Sequence, residues 1–131
     1  MEIKFNIVMS NFKELEGRLN YCLDYIPFMK ENETTISPKF ISIILDSCSL
    51  IDSIFREVII DGGKNYKFKE LSELIEPSLN LNNTISIFLN PPISFLNPFK
   101  DWLRKTPKWW KAYNKLKHNR LQNYHGSYCY N

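Results

Sequence analysis

The sequence predicts a mainly α fold, a four-helix bundle with a minor short strand or hairpin element. Apolar residues recur every three or four positions over most of the 131 residues, which is the spacing of one face of an amphipathic helix. Residues that begin and end helices bracket these stretches. A chain of this length is close to the common size of one domain, so we expect a single helical domain over residues 1–131.

The chain opens with an alternation that predicts a short strand. Residues 3–7 alternate apolar and polar side chains, and a period of two is typical of a strand. Asn11 then predicts the start of the first helix, with Glu14 in the position of a capping box. One apolar face follows, formed by Phe12, Leu15, Leu19, Cys22 and Ile26. We expect Pro27 to end or kink this helix.

The second helix has the clearest start in the sequence. Ser37 can cap it, and Pro38 suits the first turn because its missing N–H has no partner there in any case. The helix is predicted to reach about Ile60, where an aspartate and two glycines stop it. Its wide apolar stripe must pack against another helix. Asp52 and Arg56 are four residues apart and are expected to pair.

The next segment predicts a short third helix and then a hairpin. The helix is expected from about Phe68 to Ile75, ending before Pro77. Two short apolar runs, 85–89 and 93–96, flank an Asn-Pro-Pro sequence and indicate two short strands or an ordered extended connection. We expect them to cover one end of the helical core, beside the N-terminal strand.

A basic, aromatic segment closes the chain. Thr106-Pro107 repeats the cap-then-proline start and predicts a helix from Lys108 to about Asn123. Residues 1–99 carry nine Lys or Arg and thirteen Asp or Glu, a balance of −4, whereas residues 100–131 carry eight and one, a balance of +7. This asymmetry indicates a polyanionic partner, an intramolecular docking site or simply a solvated helix face.

Several classes of protein and site are not expected. No apolar run approaches the ~20 residues needed to cross a bilayer, and the N-terminus lacks the pattern of a signal peptide. We therefore expect a cytoplasmic protein without membrane contact. The three cysteines show no CxxC or Cys/His spacing, so free thiols are expected rather than disulfides or a metal site. No cofactor motif is present.

The last helix groups the residues that could carry chemistry. Asn114 and His118 are four apart on one helical face, bordered by Lys117 and Arg120. A histidine titrates near neutral pH, and nearby cations can hold phosphate oxygens, which suits RNA binding or cleavage. Further RNA contacts are predicted at Lys111, Lys115 and Trp110, the indole by stacking on a base. The alternative is that the tryptophans anchor the core, His118 is a surface residue and the lysines form a solvated face.

The segment WWKAYNKLKHNR resembles the HEPN-like helical proteins of bacteria and archaea, in particular uncharacterised members with a W-x-x-Y-N-x-x-K-H-x-R signature. The matching residues are Trp110, Tyr113, Asn114, Lys117, His118 and Arg120. Arg120 and His125 also match that family's spacing of an arginine, four to six residues and a histidine. Leu121 departs from the polar residue usual after this arginine. The chain ends six residues after His125, and we expect it to be truncated relative to such proteins.

The resemblance implies an RNA-binding protein or metal-independent endoribonuclease of a bacterial defence or toxin–antitoxin system. It implies a homodimer, with an antitoxin as a further protein partner. Arg120 would hold the scissile phosphate, His118 or His125 would supply acid–base catalysis, Lys117 would stabilise charge and Asn114 would orient the histidine. The alternative is a non-catalytic protein–protein interaction module or dimerisation domain, and a weaker one is a helical protein that binds a small molecule.

Overall fold

The computed structural model describes residues 2–89 and 91–118, and this part of the chain is mainly helical, with a small antiparallel hairpin. The predicted fold class is confirmed. In chain order the elements are α1 (Glu2–Tyr25), α2 (Pro38–Ser53), a π-helical segment (Ile54–Ile59), α3 (Phe68–Leu79), β1 (Ser86–Phe88), β2 (Ser94–Leu96) and α4 (Lys108–His118). Short 3-10 turns join several of them.

The N-terminus is helical, so the prediction of a strand over residues 3–7 is wrong. α1 begins at Glu2 and runs without a break past Asn11, the predicted helix start. Phe5 lies seven residues before Phe12, and this spacing places both on one helical face. The alternation at residues 3–7 is therefore part of a helix, in which Ile3, Phe5 and Ile7 are each more than half exposed. The end of α1 at Tyr25 agrees with the expected effect of Pro27, two residues later.

α1 and α2 pack as an antiparallel pair. The Ser37 hydroxyl accepts a hydrogen bond from the backbone N–H of Lys39 at 3.2 Å, as the cap prediction requires. Near the middle of the pair, the Arg18 guanidinium donates to the Asp46 carboxylate at 2.8 Å and to the Ser42 hydroxyl at 2.7 Å. These polar contacts fix the register of the two helices along one side.

The second helix continues past Ser53 in a wider form. Over Ile54–Ile59 the backbone is π-helical, and the N–H of Ile60 bonds to the carbonyl of Phe55. Arg56 pairs with Asp52 at 2.7 Å, as predicted, and also donates to three backbone carbonyls in the following loop. Gly62, with φ of 100°, lies in the left-handed region that glycine adopts most readily.

α3 extends two residues past Pro77, so the prediction that it ends before this proline is wrong. A proline in the last turn removes only its own hydrogen bond to the carbonyl of Glu73, an exposed residue whose carbonyl water can reach. The helix ends at Leu79 and is capped by Asn80, which has φ of 50° and donates its N–H to the Glu76 carbonyl at 2.8 Å. Left-handed asparagine is a common helix end.

The predicted pair of short strands is confirmed. β1 and β2 form a two-stranded antiparallel sheet in which Ile87 faces Phe95. The hairpin lies beside the helical α1–α2 pair, and Phe28 contacts Phe88 with ring centroids 4.9 Å apart. Because residues 3–7 are helical, the hairpin has no neighbouring N-terminal strand.

The core lies mainly on the side of α2 that faces α3 and α4. One cluster consists of Phe55, Leu71, Ile75 and Trp102, and another of Cys48, Trp110 and Tyr113. The cluster between α1 and α2 is smaller and consists of Cys22, Phe40 and Ile43. α1 is thus attached to the rest of the molecule mainly through α2, with a further hydrogen bond from the Lys4 ammonium to the Glu57 carbonyl at 3.2 Å.

Candidate functional site

α4 is fixed to the core by its aromatic face. Trp110, Tyr113 and Leu116 are buried, at the three- to four-residue spacing of one helical face. The Trp110 indole stacks on the Phe68 ring with centroids 4.2 Å apart and planes 18° from parallel. In this arrangement the role of Trp110 is packing, and stacking on a base would require the indole to leave Phe68.

The segment before α4 is held by two indole hydrogen bonds. Trp109 Nε1 donates to the Pro98 carbonyl at 2.7 Å, and Trp102 Nε1 donates to Glu76 Oε2 at 2.6 Å. The Glu76 carboxylate also accepts the backbone N–H of Asn82. These bonds connect α3 to the residues that lead into α4, so the orientation of α4 depends on the Glu76 carboxylate.

The predicted catalytic residues on α4 differ in their exposure to solvent. Asn114 is half-buried and His118 is exposed, and their spacing of four residues along a continuous helix places them one turn apart. The Lys117 ammonium lies over the Tyr113 ring, 5.6 Å from its centroid, at the edge of the buried face. Arg120 and His125 lie outside the described residues, so the predicted catalytic cluster stays a prediction.

The exposed face of α4 is a basic stripe, formed by Lys108, Lys111, Lys115 and His118. Helical spacing brings these four side chains onto one side, about 15 Å from end to end. The acid of the preceding turn, Asp101, accepts a hydrogen bond from Arg104 at 2.9 Å, and this bond lowers the pKa of the Asp101 carboxyl. Because Arg104 balances the charge of Asp101, this carboxylate does not reduce the net positive charge of the stripe.

A second candidate site was not predicted from the sequence, and it is an apolar groove between α1, α2 and the hairpin. Its volume is about 770 Å³. Apolar side chains form most of its lining, including Val8, Met9, Phe12, Leu15, Leu19, Leu50, Ile51, Ile54, Ile87, Phe88 and Leu89. Phe12 is 51% exposed and Leu89 75%, so much of this lining is open to solvent.

A sequence signal for this groove exists in the spacing of α1. Phe5, Phe12 and Leu19 are seven residues apart, and Val8 and Leu15 repeat at the same interval between them. Such a heptad pattern is typical of a helix that packs along its length against further helices. The alternation at residues 3–7 obscured this pattern, because the same side chains satisfy a strand period over so short a stretch.

A second surface groove, about 600 Å³ in volume, lies on the opposite side of α1, beside Arg18, Tyr21 and Lys39. Its cations already have partners, since Arg18 pairs with Asp46 and the Lys39 ammonium lies 4.6 Å from the centre of the Tyr21 ring. Within residues 2–89 and 91–118, no group of three or more His, Cys, Asp or Glu side chains could hold a metal ion.

Comparison with protein-family models, with curated proteins and with solved structures finds no match to this chain. None of the helices that the structure describes is long and apolar enough to span a membrane.

Proposed function

We propose that this chain is a protein-interaction module that acts through the apolar groove between α1, α2 and the hairpin. The observation that carries the proposal is the exposure of large apolar side chains on two neighbouring walls of this groove. On α1, Met9 and Phe12 are 37% and 51% exposed, and on the hairpin Ile87 and Leu89 are 57% and 75% exposed.

This exposure is more than a soluble surface usually carries at one place. Single exposed apolar residues are ordinary, but a contiguous apolar patch of several hundred Å² marks an interaction site. The hydrophobic effect favours the removal of such a surface from water in rough proportion to its area. A groove lined on three sides by apolar side chains favours a partner that presents an apolar ridge, as an amphipathic helix does.

Site-directed photocrosslinking in the host cell tests this function. A photoreactive phenylalanine analogue at Phe12 is expected to form adducts with protein, because the side chain would lie inside the interface. The control is the same analogue at Tyr25, an exposed aromatic of α1 outside the groove. Adducts at equal yield from both positions, or none from Phe12, would show that the groove is not an interaction surface.

A second function, RNA binding, is supported by the basic stripe on α4. Three lysines and a histidine lie along one exposed helical face, and such a row can contact successive phosphates of a nucleic-acid strand. The relation to HEPN-like proteins, and endoribonuclease activity with His118, Arg120 and His125, belong to this second proposal.

RNA binding has a test that is independent of the groove. Binding of a mixed single-stranded RNA is expected to weaken as salt rises, and replacement of Lys111 and Lys115 by alanine is expected to reduce that dependence by about 1.4 units of the logarithmic salt slope. The control replaces Lys39 and Lys69, two exposed lysines outside α4. Cleavage of the same RNA in EDTA by wild type, but not by a His118→Ala, His125→Ala variant, would establish the nuclease. Equal salt slopes for all variants would exclude the stripe as the RNA site.

A further inference from the structure

We infer that the occupant of the groove is a second copy of this chain, with the α1 helices of the two copies packed antiparallel across a two-fold axis at Phe12. The inference rests on the proposed interaction function and names its partner. Three features of α1 support it: the symmetry of its apolar ridge, the area that the groove exposes, and the placement of its charges.

The apolar ridge of α1 is self-complementary about Phe12. Phe5 and Leu19 lie seven residues to either side of it, and Met9 and Leu15 lie three residues to either side. In a two-fold interface, if residue i of one copy contacts residue j of the other, then residue j of the first copy also contacts residue i of the second. With Phe12 on the axis, Phe5 faces Leu19 and Met9 faces Leu15 of the partner subunit, so these pairings are between apolar side chains, whereas Val8 faces a glutamate.

The exposed apolar area is a large part of what a stable dimer buries. Met9, Phe12, Ile87 and Leu89 on the groove walls, and Phe5 further along the ridge of α1, are each between 37% and 75% exposed. With roughly 200 Å² per large side chain, these five residues present on the order of 550 Å². A standard protein interface buries about 800 Å² on each partner, somewhat more than half of it apolar. These side chains would therefore supply the apolar part of an interface with a second copy, and polar residues around them the remainder.

The charges of α1 permit the antiparallel arrangement. In this register Lys13 faces Asn11 of the partner subunit, and Glu16 faces Val8 of the partner subunit. Along the described helix, no two groups of the same charge come opposite each other. The long stems of Lys13 and Glu16 can cover the apolar ridge while their charged ends stay in water. A parallel arrangement would instead place each charged group of α1 beside its own copy, at a cost from like-charge contacts.

A charge-swap experiment tests both the partner and the axis. Sedimentation velocity of the purified full chain is expected to show a monomer–dimer equilibrium over about 1–100 μM. Phe12→Glu and Phe12→Lys, each alone, place two like charges across the axis and are expected to raise the dissociation constant at least about 30-fold. An equimolar mixture of the two variants is expected to recover association to within about tenfold of wild type, because opposite charges then meet at the axis.

The control is Tyr25→Glu, which introduces the same charge at an exposed aromatic of α1 outside the groove and is expected to leave the dissociation constant unchanged. Recovery in the mixture also shows that both Phe12 variants fold. A wild type that stays monomeric throughout, single variants that still dimerise, or a mixture that does not recover would each overturn the second-copy inference. If the chain is monomeric but Phe12 crosslinks in cells to one other protein, the proposed interaction function stands without it, and if neither occurs both fail.

Discussion

Replacement of Glu76 by alanine tests whether one carboxylate holds α3 to the segment that leads into α4. Glu76 accepts the indole N–H of Trp102 at 2.6 Å and the backbone N–H of Asn82 at 3.1 and 3.2 Å. Trp102 is 2% exposed, so water cannot replace the lost acceptor without a rearrangement of the core.

The expected loss follows from these bonds. A hydrogen bond to a charged group contributes about 1.5–3 kcal/mol, and a buried donor left without an acceptor costs about 1–3 kcal/mol. We expect Glu76→Ala to lower the free energy of unfolding by about 3 kcal/mol and Tm by roughly 10–15 °C. Glu76→Gln keeps an acceptor oxygen without the charge, and we expect it to lose about 1 kcal/mol.

Urea unfolding followed by circular dichroism measures this loss, with Glu73→Ala as the matched control. Glu73 lies on the exposed side of α3, three residues before Glu76. Glu76 lies in the last turn of α3, where removal of a carboxylate also relieves an unfavourable interaction with the helix dipole of about 0.3–1 kcal/mol, so the difference between the two variants is a lower bound on the contribution of the hydrogen bonds. If Glu76→Ala and Glu73→Ala are equally stable, the carboxylate does not hold this junction.

Three further predictions concern the loop after the second helix and the buried thiol. Gly62→Ala is expected to lower the free energy of unfolding by roughly 1–2 kcal/mol, because φ of 100° strains any residue with a Cβ. Gly17→Ala, in the open middle of α1, is expected to raise it by about 0.5–1 kcal/mol. A thermal unfolding measurement in which both variants shift stability in the same direction would contradict this prediction. Arg56→Lys is expected to lose about 1–2 kcal/mol, because one ammonium cannot replace a guanidinium that bonds Asp52 and three carbonyls; a urea midpoint equal to that of wild type would refute it. Burial raises the pKa of the Cys48 thiol from 9.0 to about 12, so folding favours the protonated thiol, and its contribution to stability is fully present below about pH 9 and is lost as pH rises towards 12. Unfolding measured between pH 7 and 11 is expected to show a smaller alkaline loss for Cys48→Ala than for wild type, and parallel curves would contradict it.

The sequence predicts the helices well where a capping residue, an ion pair or a glycine stabilises or ends the helix. Ser37 caps α2 through its hydroxyl, Asp52 pairs with Arg56, and the glycines after Ile60 stop the second helix, all within a few residues of their partners. The two strands could be predicted equally well, because short apolar runs flank a turn sequence. Each of these predictions depends on neighbours in the chain.

The incorrect predictions concern sequence patterns that are compatible with two different structures. Residues 3–7 satisfy the period of a strand, but Phe5 also continues the seven-residue spacing of Phe12 and Leu19, and the longer pattern determines the structure. Pro77 is tolerated because it lies in the last turn of α3. The heptad spacing of α1 signals one wall of the apolar groove, but the groove itself could not be predicted, because the position of the hairpin beside α1 and α2 is not encoded by any spacing within one element.

The sequence could not decide which aromatic residues of the basic segment belong to the core. The sequence allowed both a core role and a base-stacking role for Trp110, since an indole suits either. The core contact of Trp110 in the structure is the stack on Phe68, 42 residues away along the chain. The exposed lysines of α4, in contrast, follow directly from helical spacing once the aromatic face is assigned to the core.

The π-helical segment at Ile54–Ile59 determines how the end of the second helix is oriented toward its neighbours. A π-helical turn is equivalent to one residue inserted into an α-helix, and each residue rotates the following side chains by about 100°. Ile51 and Ile54 line the groove, while Phe55 lies in the core with Trp102. Deletion of one residue here would restore a regular helix but turn the side chains that follow it away from their present neighbours. The extra residue therefore sets which of the side chains after Phe55, among them Ile59 and Ile60, pack against the core.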